Sequence, residues 1–594
     1  MRLLTLLLLS LSLLGASKVS RFLYQNPSQL TIRLYNHVHS FEAIRDDGKI
    51  LRKRLSHERF FIDRSGGKLS IDYRILKRPG GIDIRYTIFN PTGTPQPFPD
   101  LQIEGICYHP RNHTLSILNT LTFAYFHERD ENESTFSRYG YWDVNGGDLP
   151  YPQVYAPVIV AHDGNFTAGS ALLIDYPRIQ IAPHMHIYKG ADHTYIHRYG
   201  DIRNRKLKPH EKITLTLTLR FSAPRYAIAT LSAYKRFFTS KFHPTSVTHP
   251  ADVHPISGIL LSFEGSAYEN YRTCLQERAC KSDTFPDSRT IQSYNLLGYN
   301  YFIRLDKPDQ MKRFVSEYIR KLQRYGYDHV MLWAISGEYF RCSSSYLRKD
   351  DDTSYCATNY PSQFMTNPLP AFQMELKLLK SFEKNGIDLG IWWGRSGESP
   401  RPFGWNPKRI VPLDPTDSKA ANFAMRQFHI ALQNGAHTFG LDAFGNMPPL
   451  YQRAWLMRLK SQKPGISLWI EGDTPDYLHT EADLFLQPQN RWMAFGEGPV
   501  TQPPLLMRYL NPAGRVILYY PSGDIDRAKI ERLMKMGYSP LILSHPDLFH
   551  NELIDVKGLD RKVAECCDGF DNDGDGLCDY PFDPECTDPL GSEE

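Results

Sequence analysis

Residues 417–442 read DSKAANFAMRQFHIALQNGAHTFGLD, and this stretch decides the fold. A helix opens at Asp417 and ends at Gly435, where a left-handed helix end favours glycine. Thr438-Phe-Gly-Leu441 follows as an apolar strand that runs straight into Asp442. The same order of helix, glycine and strand recurs on both sides. Upstream, Pro308 opens a helix whose Met311, Phe314, Val315, Tyr318, Ile319 and Leu322 fall at helical spacing; Gly326 ends it and His329–Trp333 is the next strand. The helix Ala371–Lys384 ends at Gly386 and leads to the strand Leu389–Trp393. Downstream come strands at Ile466–Ile470, Asp483–Leu486, Val516–Tyr519 and, after a helix closed by Gly537, Leu541–Leu543. With Tyr301–Leu305 in first place these make eight alternating units, the pattern of a closed parallel (β/α)8 TIM barrel spanning 250–555. Ile259–Phe263 competes for that first place. The alternative, an open doubly wound sheet, lacks a glycine-rich phosphate loop after any strand.

Outside the barrel the grammar changes. Ile82, Ile84, Tyr86 and Ile88 alternate with Asp83, Arg85 and Thr87, and Ile213, Leu215, Leu217, Leu219 and Phe221 alternate with Thr and Arg. Residues 18–240 therefore read as a β-sandwich, with a Pro/His-rich connector (HPTSVTHPADVHP) after Phe242. Residues 1–17 read as a signal peptide: Arg2, a Leu-rich run from Leu3 to Leu14, then Gly15-Ala16-Ser17. A secreted or extracytoplasmic protein without a membrane span is expected. A charge excess of 69 basic over 65 acidic residues, with no long basic run, gives no reason to expect a nucleic-acid partner. Nine Cys in an exported chain suggest disulfides, with Cys274/Cys280 and Cys342/Cys356 as the simplest pairs. His184, His186, His193 and His197 read as a surface hairpin rather than a metal site.

Barrel enzymes keep their chemistry where strands end. Asp442 (in FGLDAFGN) and Glu471 (in LWIEGD) directly abut apolar strands four and five, and Asp524 follows strand seven. Hydrolysis of a glycosidic bond needs one carboxylate as nucleophile or base and one protonated carboxyl as acid. Neighbouring strands about 4.8 Å apart suit the ~5–5.5 Å carboxyl separation of retaining enzymes. Trp469 and Ile470 favour a protonated Glu471 by desolvation. Asp473 is the rival acid, and helix capping or pairing with Arg at the rim is the structural alternative. Trp392 and Trp393 suggest sugar stacking, with Arg395 for a hydroxyl or acetamido oxygen, although only one of two adjacent strand residues faces inward.

At LDAFGN (Leu441–Asn446) and WIEGD (Trp469–Asp473) the chain resembles the endo-α-N-acetylgalactosaminidase family and its relatives. Ile82–Pro97 is similar to the strand and turn text of galactose-mutarotase-like super-sandwiches, which often precede glycosidase barrels. The resemblance implies a super-sandwich joined to a barrel, Asp442 as nucleophile and Glu471 as acid/base. It also implies a carbohydrate substrate contacted near Asn446 and Asp473. The Arg that amylase-like barrels carry two residues before the nucleophile is replaced by Gly440. The expected function is retaining hydrolysis of an α-linked glycan; the alternative is a non-catalytic cell-surface glycan-binding protein. In the tail, 562–594, Asp571, Asp573, Asp575, Leu577 and Asp579 follow the spacing of a Ca²⁺ loop with Gly576 at its sixth position. Phe582 stands where the usual Glu belongs, leaving Asp583 as its substitute. Structural Ca²⁺ is the one cofactor expected.

Overall fold

Asp417 accepts hydrogen bonds from Lys419 N and Ala420 N, so a carboxylate satisfies the first free amides of the helix Ser418–Gln433. That helix buries Ala420, Ala421, Ala424, Met425, Phe428 and Ala431 on one face. Gly435, at φ +92°, turns the chain into the strand Ala436–Leu441, and Gly326, Gly386 and Gly537 stand at positive φ in the corresponding places.

The structure is a computed structural model. It describes residues 30–34, 39–42, 58–64, 67–78, 81–97, 101–108, 115–118, 126–129, 156–162, 167–175, 181–188, 193–201, 206–222, 228–246, 252–263, 301–303, 308–333, 376–394, 396–400, 403, 411–442, 444–471, 474–486, 500, 503–543 and 553–564. The signal-peptide segment, the Cys pairs, Arg395, Asp473 and the calcium-loop positions Asp571, Asp573, Asp575, Leu577, Asp579 and Asp583 lie outside the described residues.

Eight parallel strands close on themselves. They are β1 (Ile256–Phe263), β2 (His329–Trp333), β3 (Asp388–Trp393), β4 (Ala436–Leu441), β5 (Ser467–Glu471), β6 (Asp483–Leu486), β7 (Val516–Pro521) and β8 (Tyr538–Leu543). Closure is the β8–β1 ladder, with Ile256 opposite Leu541 and Gly258 opposite Leu543. The first strand is thus Ile256–Phe263, not the expected Tyr301–Leu305. Ser257–Leu260 pairs with β2 while Ile256–Gly258 pairs with β8, so β1 already has both neighbours. Tyr301–Ile303 joins only its outer end, Leu261–Phe263. Since one first strand replaces another, Asp442 still follows strand four and Glu471 still ends strand five.

Alternation sorts the barrel side chains into two layers. Ile256, Met331, Trp392, Trp469, Phe485, Ile517 and Leu541 form an inner plug, while Leu389, Ile391, Trp393, Phe439, Leu441, Leu468 and Ile470 pack outward toward the helices. The N-terminal mouth is polar. Arg515 pairs with Asp483 at 2.7 Å and donates to Ser467, and Thr438 donates to Asp388. Beside them, burial opposes ionisation of Asp328, but the nearby His254 imidazole and hydrogen bonds from His329 and Arg561 outweigh it and hold this carboxyl well below the usual range.

Upstream, the period-two text becomes neighbouring antiparallel strands: Ile84 lies opposite Leu217, Tyr86 opposite Leu215 and Ile88 opposite Ile213, all buried. They belong to an eight-stranded antiparallel sheet that accompanies a five-stranded one. In the latter, His184–His186 and His193–His197 form the expected hairpin, Ile181–Tyr188 against His193–Asp201. Among the described residues no helix is long and apolar enough to cross a membrane.

The helix Ser232–Phe242 follows these sheets and packs on the barrel. Phe242 stacks on Tyr477 with ring centroids 5.4 Å apart, and the buried Tyr234 hydroxyl donates to Asp476 at 2.6 Å. Replacing Tyr234 by Phe keeps the ring and removes one partner of a buried carboxyl oxygen, an expected cost of about 1–3 kcal/mol. A lower urea midpoint with unchanged far-ultraviolet dichroism checks this; an unaltered midpoint refutes it.

Candidate active site

The register of β4 and β5 sets the site. Gly440 lies opposite Trp469 and Leu441 opposite Ile470, so the next residues, Asp442 and Glu471, stand level at the C-terminal ends of adjacent strands. Leu441 and Ile470 belong to the outer core and Trp469 to the inner plug; by alternation both carboxylates face the barrel interior. Asp442 is 8% exposed and Glu471 3%. Both carboxylates are thus largely enclosed by protein.

Below them the floor is aromatic. Trp392 packs on Phe485 with centroids 4.6 Å apart, and Tyr519 lies 6.3 Å from Phe485. Trp393 points the other way, against Phe428 and Trp455 of the helical layer. The adjacent tryptophans are thus divided as strand geometry demands: Trp392 alone is turned toward the site. A Cβ on Gly440 would come within 2.0 Å of the Trp392 ring, which explains why no longer residue occupies that position.

Both carboxylate-bearing turns are fixed from behind. Asp442 N donates to Trp393 O at 3.0 Å, and both N and Oγ of Ser396 donate to Asp442 O, at 2.9 and 3.0 Å. Asn446, fully buried in the short helix Phe444–Asn446, donates from Nδ2 to Glu398 Oε1 at 2.8 Å. Its Oδ1 has no hydrogen-bond partner among the described residues. Behind Glu471, Thr474 Oγ1 donates to Glu471 O at 2.6 Å and lies 3.3 Å from His479 Nε2. A hydroxyl has one proton, already committed to the carbonyl, so His479 donates from Nε2.

The outcome for the sequence-selected residues is mixed. Asp442, Glu471, Asn446 and Trp392 are brought together at one end of the barrel. Asp524 follows β7 at the same end but is exposed, and its carbonyl receives Lys529 Nζ. Ser396, Glu398, Thr474 and His479 were missed, because their roles arise from contacts between loops with no periodicity to announce them.

No family model matches the chain, and no curated protein matches it. Solved structures do. The chain is similar to the alpha-N-acetylgalactosaminidase NagBb from Bifidobacterium bifidum, at 11% identity over 90% of this chain and 85% of that one, with a TM-score of 0.46. It is also similar to the alpha-galactosidase AgaA from Geobacillus stearothermophilus, at 10% identity, 88% and 73% coverage and a TM-score of 0.41. A third is TtGalA, an alpha-galactosidase from Thermus thermophilus, at 12% identity, 72% and 77% coverage and a TM-score of 0.36. What the carboxylate pair can do is set by its own geometry.

His479 provides a pH test of this arrangement. Burial lowers its pKa from 6.5 to about 4, against smaller raising effects from a backbone hydrogen bond at Ala482 and the charge of Asp483. The unfolded chain therefore takes up a proton that the folded chain refuses. Stability is full above pH 6.5 and falls as pH drops toward 4, by roughly 3 kcal/mol in all. Urea titrations at pH 7, 5.5 and 4 check it. In His479→Gln that share of the pH dependence is expected to vanish; a variant with the wild-type slope would exclude His479 as the cause.

Proposed function

We propose that the barrel is a retaining glycoside hydrolase acting on an α-linked glycan, with Asp442 as nucleophile and Glu471 as acid/base. The observation that carries this reading is the level placement of two buried, inward-facing carboxylates on adjacent strands. Strands about 4.8 Å apart hold such groups near the ~5–5.5 Å separation that suits a covalent intermediate and leaves no room for a water between acid and sugar. Asp442 attacks the anomeric carbon while Glu471 protonates the departing oxygen; the glycosyl ester is then hydrolysed by water that Glu471 deprotonates. Burial of Glu471 above the aromatic floor favours its protonated form before the first step. Trp392 stacks on a sugar face in this reading, with Asn446, Arg395 and Asp473 as polar contacts.

The assignment is tested with aryl α-galactosides, aryl α-N-acetylgalactosaminides and mucin-type glycans. Asp442→Ala is expected to abolish turnover. Glu471→Ala retains activity only where the leaving group needs no proton, and azide then yields a glycosyl azide of retained configuration. Proton NMR of the first product decides the stereochemistry. An inverted anomer would reassign the pair, and glycan binding without turnover would point to a binding protein on a barrel scaffold.

In the same reading the chain is exported, residues 18–240 form a mutarotase-like super-sandwich, and the tail holds structural Ca²⁺ through Asp571, Asp573, Asp575, the Leu577 carbonyl, Asp579 and Asp583. All these ligands fall within 571–583, so chelation is expected to leave glycosidase activity nearly intact while making the tail sensitive to protease. Calorimetry without Ca²⁺ heat, or loss of turnover on chelation, contradicts that.

A further inference from the structure

The N-terminal mouth of the barrel, opposite the carboxylate pair, gathers two imidazoles and a carboxylate from segments distant in sequence. His254 lies just before β1, Asp328 just before β2, and His329 is the first residue of β2. Their ligand atoms all lie within 4.8 Å of one another, and the two rings are 4.5 Å apart. Side-chain exposures of 21%, 33% and 21% leave the group open to ions from solvent.

We infer that His254, Asp328 and His329 form a binding site for a borderline divalent transition metal of the Zn²⁺ class, in which the guanidinium of Arg561 is the competing occupant. Two neutral nitrogens and one carboxylate oxygen suit such an ion better than a hard one, which gathers more oxygens. Tetrahedral ligands at about 2.0–2.1 Å from zinc stand roughly 3.3–3.4 Å from each other. Two of the three separations bracket that figure: His329 Nδ1 to Asp328 Oδ1 is 2.8 Å and His254 Nδ1 to Asp328 Oδ1 is 3.8 Å. Adjustments of about half an ångström at exposed side chains would form the site.

Two further features fit. Ligation through His329 Nδ1 leaves the ring proton on Nε2, 3.8 Å from Asp388 Oδ2, where a small side-chain shift would make the carboxylate–histidine hydrogen bond that fixes a ligand's tautomer. Asp388 is itself held by Thr438, and its buried Oδ1 has no hydrogen-bond partner among the described residues. Arg561 meanwhile donates from one nitrogen, Nη1, to both His254 Nδ1 and Asp328 Oδ2. A cation thus already sits on two of the three ligands, and a metal has to displace it. The Arg561 backbone stays anchored, because its carbonyl receives Val253 N.

Zinc titration of the full chain by calorimetry, with Ca²⁺ in excess to hold the tail, tests the site. His254→Ala and His329→Ala are each expected to lose one zinc equivalent relative to wild type, and Arg561→Ala to bind that equivalent more tightly. Zinc stoichiometry that is the same in wild type and both His variants, or an Arg561→Ala affinity no higher than wild type, overturns the proposal. If His329→Ala fails to fold, Asp328→Asn, nearly identical in shape, replaces it with the same expected loss.

Discussion

The ladder between β4 and β5 is the constraint on which the candidate site depends. Side chains of parallel strands alternate with a period of two, so a slip of one residue would turn either carboxylate outward into the helical layer. The slip is prevented by packing on both faces. Trp469 on the inside and Ile470 on the outside are both buried, and exchanging them would put an indole among the helices and leave a void in the plug. The contact of Trp392 with Gly440 adds a lock from β3, because its ring occupies the volume that any side chain at 440 would need. A residue without a side chain next to one with the largest side chain thus fixes the height at which Asp442 emerges.

Much of this was legible in the chain. Wherever a strand carried a glycine before it and an apolar run within it, as at Gly435 and Phe439–Leu441, the two local signals agreed and the element formed as read. The first strand misled because Tyr301–Leu305 and Ile259–Phe263 are equally apolar; the choice between them is made by the β8–β1 ladder, which joins residues some 280 apart in the chain. Asp524 differs from Asp442 in its surroundings. It follows an apolar strand as Asp442 does, but it is exposed in the turn after β7, whereas the turn after β4 is tied back by Ser396. Strand ends can be read locally, while the direction of the loop beyond them depends on partners from elsewhere.

The two ends of the barrel divide the work. At the C-terminal end, acids are buried and level; at the N-terminal mouth, charges are paired and partly wet, as with Arg515 and Asp483 or Arg561 and Asp328. Pairs of the second kind contribute little each, and their use here is to satisfy strand-start groups that would otherwise be buried alone. The segment 553–564 belongs to this underside: Val556 N donates to Tyr325 O, Ala564 N to Lys535 O, and Arg527 donates to the carbonyls of Asp555 and Lys557. It straps the helix before β2 to the helix before β8, on either side of the closing ladder.

Between the two ends lies the plug of Trp392, Trp469, Phe485, Ile517 and Leu541. A close-packed apolar layer transmits shape and keeps water and ions out of the space between the two ends. A polar line toward the site runs outside the plug, from His479 through Thr474 to the Glu471 carbonyl. His479 is itself held from below, since Asn511 Nδ2 donates to its carbonyl and the Asp483 charge bears on its ring. Asp483 is also the partner of Arg515, so the charge of the ion pair at the start of β6 acts on the imidazole that supports the turn after Glu471. Neutral and fully enclosed, that imidazole lets the support cross the wall of the barrel without placing a charge inside it.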